Sequence, residues 1–134
     1  MKIIICLEDN NGIAFNKRRL SSDSVLCEKI CEMIKGSRLC LNSYSAKLFE
    51  QICDNQFVDE NFGDKADAGD YCFFEQPNVC DYASDAEEIV VFRWNRRYPS
   101  DARFPERYLL MRKLVATEDF SGKSHDKITT EVYR

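Results

Sequence analysis

Three consecutive cations, Lys17, Arg18 and Arg19, stand in the stretch FNKRR, and Asp23 follows shortly after. A guanidinium group binds a carboxylate or phosphate through two parallel N–H bonds, so this triplet marks a candidate site for an anionic ligand. Its plain alternative is a solvated loop that balances the acidic segment between Asp59 and Asp70. Arg93, Arg96, Arg97 and Arg103 bring further positive charge. Asp23 is the candidate acid or base, and a carboxylate at a helix start also suits the positive end of the helix dipole. Trp94 closes the run IVVFRW and either caps a cleft, stacking on a ring, or packs into the core. Asn11, in the turn DNNG, joins them as a candidate ligand contact.

Other residue types point to less. His125 stands beside Asp126, but adjacent residues of a strand face opposite ways, so the pair is expected apart and on the surface. Asp59, Glu60, Asp64, Asp67 and Asp70 do not follow the calcium-loop spacing, and no metal is expected there. Ser43 and Tyr44 suit a helix start. The seven cysteines form no CxxC pair, and most sit in apolar runs; buried, reduced thiols are expected rather than a disulfide framework.

These residues need a folded frame. The 134 residues are 44% hydrophobic and 12% aromatic, which fits one globular domain spanning 1–134. No apolar stretch approaches the roughly 20 residues of a membrane helix. The start MKIII lacks a small-residue cleavage site before Glu8 and Asp9, so a cytoplasmic location is expected. A net charge of −4 argues against bulk nucleic-acid binding.

KIIICL reads as a strand buried on both faces. DNNG turns the chain. Ser21 and Ser22 are N-cap candidates for a helix from about Ser22 to Lys35, carried by Leu26, Ile30 and Ile34 and stopped by Gly36. SRLCLN is a second strand and SAKLFEQIC a short helix. Asp54 to Asp70 reads as a loop anchored by Phe57 and Phe62, with one helical turn at most. YCFFE is a strand, Pro77 opens a helical turn through Asp81, and EEIVVFRW is a strong strand. NRRYPSDARFPERY is a long loop; KLVATEDF and KITTEVYR form an antiparallel pair across SGKSHD. Early helix–strand alternation with late strands alone predicts an α/β sheet with an antiparallel C-terminal edge.

Three stretches in this order resemble the dihydrofolate reductase family. IIICLEDNNGIAFNK resembles its first strand and flexible loop, AEEIVVFRWNRRYPSDARFP its strand after the last helix and the D-x-x-F-P loop that continues it, and ATEDFSGKSHDKITTEVYR its closing hairpin. The resemblance implies a shortened α/β fold with a mixed sheet, flanking helices and a cleft lined by Asn11, Lys17, Arg18, Arg19, Asp23 and Trp94. Asp23 falls near that family's catalytic carboxylate. The departures imply lost NADPH binding, and no cofactor is expected. Glu75 and Gln76 stand where the family has a Gly-Gly turn against the cofactor phosphates, and a carboxylate there repels a pyrophosphate. The Gly-Arg of the second helix and the Pro-Trp of the loop are also missing. The opening stretch is similar as well to a small bacterial family carrying a ribonuclease Z label, but one histidine cannot build that enzyme's di-zinc site.

Three functions follow as expectations. The first is a small binding or accessory domain whose residual cleft takes an anionic or nucleotide-like ligand. The second is a repurposed enzyme acting on a phosphorylated or nucleotide-like substrate, with Asp23 as acid or base. The third is an RNA contact through Arg93, Trp94, Arg96, Arg97 and Tyr98.

Overall fold

The computed structural model describes all residues, 1–134. Its first strand, β1 (Lys2–Leu7), is the middle of everything, because both of its faces are covered. Ile3, Ile5 and Leu7 enter one core cluster and Ile4 enters the other, which explains the unbroken apolar run. Chain order continues with β2 (Gly12–Phe15), β3 (Arg18–Arg19), α1 (Ser24–Met33), β4 (Leu39–Leu41) and α2 (Ser43–Ala46). A 3₁₀ turn over Lys47–Phe49 leads to β5 (Gln56–Val58), α3 (Phe62–Lys65) and β6 (Tyr71–Phe74). A second 3₁₀ turn, Pro77–Asp81, precedes β7 (Glu88–Arg93), β8 (Ala102–Arg103), α4 (Arg107–Leu110), β9 (Leu114–Phe120) and β10 (Ile128–Tyr133).

The main sheet has seven strands in the order β5-β4-β6-β1-β7-β10-β9. The five strands from β5 to β7 run parallel, and β10 reverses against β7 and pairs with β9 as the predicted C-terminal hairpin. On one face α1 lays Leu26, Cys27, Ile30 and Ile34 against Ile4, Phe73, Val90 and Phe92. On the other, Phe62, Val79, Phe104 and Leu109 arrive from short turns and loops. No helix is long and apolar enough to cross a membrane.

Several local expectations are corrected. Asp23, not Ser21 or Ser22, is the N-cap of α1: it has extended backbone and accepts from the N–H groups of Val25 and Leu26. The expected loop from Asp54 to Asp70 contains the edge strand β5 as well as the helical turn α3. The basic stretch is no loose loop. It is a small hairpin in which β2 pairs with β3 and β8, and Asn16 and Lys17 turn it with φ of 50° and 64°. Two consecutive left-handed residues are what a two-residue hairpin turn demands. The expectation of reduced cysteines fails at one pair: Cys31 on α1 is disulfide-bonded to Cys53. Cys6, Cys27, Cys40, Cys72 and Cys80 are free.

Candidate functional site

At the C-terminal ends of β1 and β6 a narrow cavity opens between the sheet and the start of α1. Cys6, Arg19, Ser21, Asp23, Glu75 and Trp94 are among the residues lining it. About 20 Å³ is left for solvent, room for one water molecule. Side chains fill the rest, in two polar groups.

The first group is built on Arg19. Its Nε and Nη2 donate to the two oxygens of Glu75 at 2.8 and 2.9 Å, a bidentate fork, and Ser45 Oγ donates to Glu75 at 2.7 Å. The guanidinium lies 4.1 Å from the centre of the Tyr44 ring, whose hydroxyl accepts from the Arg19 backbone N–H. Burial alone would lower the Arg19 pKa, but the Glu75 carboxylate outweighs it and keeps the group cationic. Gln76 completes the clasp by donating to the Lys17 carbonyl at 2.9 Å. Thus two residues at the end of β6 hold the β2–β3 hairpin down over the cavity. Burial, with Glu75 next in effect, pushes the Cys27 thiol up to about 11 and that of Cys6 well above its ordinary value; both stay neutral thiols.

The second group is built on Asp23, whose side chain is fully enclosed. Oδ1 accepts from Val25 and Leu26 at the helix start and from Lys123 N–H at 3.0 Å. Oδ2 accepts from Ser124 N–H at 2.9 Å, the Ser124 hydroxyl at 3.2 Å and His125 Nδ1 at 2.9 Å. A carboxylate only accepts, so His125 Nδ1 carries a proton toward Asp23. Ser21 Oγ lies 3.1 Å from Nε2 and the Tyr98 hydroxyl 3.0 Å. The imidazole stacks on Trp94 with ring centres 4.6 Å apart. Burial would raise the Asp23 pKa, but the donors from Lys123, His125, Ser124 and Val25 hold it far below the usual carboxylate range.

His125 is therefore corrected from a surface residue to a buried one, 4% exposed. It lies in the turn between β9 and β10 rather than in a strand, buried where Asp126 is exposed, and its partner comes from the far end of the chain. Gly122 lets this happen. A Cβ there would stand 2.6 Å from Asp23 Oδ2 and 2.9 Å from Ile128 Cδ1, so only glycine lets the turn close over the carboxylate. Gly122→Ala is expected to cost about 1–3 kcal/mol, read by denaturant melts; an unchanged midpoint would contradict this packing.

The expected cleft residues divide. Arg19, Asp23 and Trp94 line the cavity, and Asn11, Lys17 and Arg18 do not. Asn11 sits in the turn after β1 with φ of 62°, its side-chain oxygen accepting from Arg93. Lys17 and Arg18 point away from the cavity on the exposed rim of the hairpin. The expected RNA stripe is not laid out as a surface: Arg93 pairs with Glu131, Trp94 is buried, and the Tyr98 hydroxyl turns in to His125. No group of three or more histidine, cysteine or acidic side chains is arranged to hold a metal ion.

No protein-family model matches the chain, and no curated protein matches it. Solved structures do. Dihydrofolate reductase from Enterococcus faecalis, solved with NADP(H) and RAB-propyl, aligns with a TM-score of 0.70 over 99% of this chain and 94% of that one. The fold is that of dihydrofolate reductase. At 11% identity the likeness extends to the dihydrofolate reductase backbone and no further. The sheet order and the closing hairpin bear out the fold expected from the three sequence stretches.

Proposed function

We propose that the chain is a ligand-binding domain on a dihydrofolate reductase-like scaffold that no longer takes NADPH and receives a small anion at Arg19. One observation carries this reading: the Glu75 carboxylate lies in the fork of Arg19 and under the Ser45 hydroxyl. Where the family resemblance places a Gly-Gly turn for cofactor phosphates, this chain has a built-in carboxylate. Glu75 thereby acts as an internal anion in a cradle of guanidinium and hydroxyl donors. A pyrophosphate meets its negative charge and its Cβ. A small carboxylate or phosphate is accommodated by exchange with Glu75, which frees the hairpin at the same time.

Thermal denaturation tests this in two arms. A ligand at about a hundred times its dissociation constant stabilises by roughly 2.7 kcal/mol, several degrees for a domain of this size. The wild-type chain is expected to show no shift with NADPH. Glu75→Ala is expected to gain a shift with acetate or inorganic phosphate that Arg19→Ala does not show. A clear NADPH shift in the wild type, or a Glu75→Ala variant indifferent to both anions, overturns the proposal.

The enzyme reading is favoured by a separate observation, the hydrogen-bonded line from Asp23 through His125 to Ser21.

A further inference from the structure

We propose that Ser21, His125 and Asp23 form a nucleophile–base–carboxylate relay, giving this domain an acyl-transfer activity toward short-chain esters. The distances are those such a relay requires: 3.1 Å from Ser21 Oγ to His125 Nε2 and 2.9 Å from Nδ1 to Asp23 Oδ2. Ser21 and Asp23 flank Ser22 at the entry to α1, and the tertiary fold brings His125 to them across more than a hundred positions. Asp23 has the ordered environment an orienting carboxylate needs, since six donors fix both of its oxygens. The Trp94 ring holds the imidazole plane.

Ser21 is the member that meets solvent. It is half-buried and lines the cavity; Asp23 shares that lining with its side chain fully enclosed, and His125 is buried and outside it. Tyr98 also faces Nε2, and its hydroxyl lies 3.4 Å from Ser21 Oγ. Tyr98 can therefore donate to Ser21 while Ser21 donates to the imidazole. The backbone N–H groups of Ser22 and Asp23 donate to no acceptor within the protein. The N–H after a nucleophile is a common donor to the developing oxyanion. The cavity has room for about one water beside Ser21, which limits the acyl group to the shortest chains.

The chemistry closes without a cofactor. Ser21 Oγ bonds to the ester carbonyl carbon as its proton passes to His125 Nε2. Collapse of the adduct breaks the bond to the alcohol oxygen, which leaves with that proton. Water then adds to the acyl-serine and gives a proton to Nε2. Ser21 takes the proton back, and a carboxylic acid is released.

The test uses the full chain with a fluorophosphonate probe and with p-nitrophenyl acetate. Intact-mass and peptide mapping are expected to find one adduct, on Ser21, absent from Ser21→Ala. Ester turnover is expected to fall at least about a hundred-fold in Ser21→Ala, the usual scale of an acid–base contribution. Asp23→Asn is expected to lower kcat and leave KM unchanged in the folded protein, because toward the ester this positioning residue acts through the imidazole. Should Asp23→Asn fail to fold, the wild-type adduct still decides. Folded wild-type protein without an adduct on Ser21, or turnover unchanged in Ser21→Ala, overturns the assignment. The anion-exchange reading is tested by Glu75 and NADPH without any ester, so the two fail separately.

Discussion

Asp23→Ala is expected to destabilise the domain by about 3–5 kcal/mol, the scale of leaving one half of a buried pair unsatisfied. That corresponds to a melting temperature lower by roughly 10–15 °C. The change removes the N-cap of α1 and strands the N–H groups of Lys123 and Ser124 and the Nδ1–H of His125. Asp23→Asn keeps one acceptor for the cap and is expected to lose less. The same carboxylate sets an acid dependence. Its folded pKa is depressed, so its stabilisation is fully present above the unfolded value of about 3.9 and is lost as pH falls below it toward the folded pKa. Asp70 acts in the same sense: burial would raise its pKa, but hydrogen bonds from Arg38 and the Asp67 N–H lower it. Melts between neutral pH and pH 3 check both. A wild type that loses stability above pH 5 as steeply as below pH 4 contradicts the assignment to Asp23.

The second large effect belongs to Cys31–Cys53. The bond closes a loop over a sequence separation of 22 and ties the last turns of α1 to the chain just before β5. Closing a loop of that length in the unfolded chain is worth about 3 kcal/mol in the chain-entropy account. Cys53→Ser, or reduction of the wild type, is expected to lower the melting temperature by roughly 10 °C. Alkylation of the unreduced, denatured protein is expected to block five thiols, Cys6, Cys27, Cys40, Cys72 and Cys80. Seven blocked thiols and a melt indifferent to reductant overturn the pairing. Such bonds persist in oxidising compartments and are rare in the cytosol, so the thiol count also tests the expected cytoplasmic location.

Much of the frame was legible because it is locally written. β1, β6 and β7 are buried on both faces and read as plain apolar runs. The C-terminal hairpin and the turn at Pro77–Asp81 carried their own turn chemistry. The ends of α1 shifted because serine and aspartate compete for the same capping role, and only Asp23 reaches both Val25 and Leu26. β5, β8 and the β2–β3 hairpin were missed because strands of two to four residues carry too little pattern. Their order comes from partners elsewhere: β4 for β5, and β2 for β8.

The chemistry divides in the same way. By itself the sequence placed cationic side chains and a helix-start carboxylate near one end of a reductase-like sheet. It also placed Glu75 and Gln76 where the resemblance requires glycines. Only the tertiary structure decided what those residues do. Arg19 meets Glu75 across 56 positions, and Asp23 meets His125 across 102. Alternation along a strand tells which face a side chain takes. It cannot tell which distant element closes over that face, because that follows from sheet order, the path of the hairpin turn and the missing Cβ of Gly122.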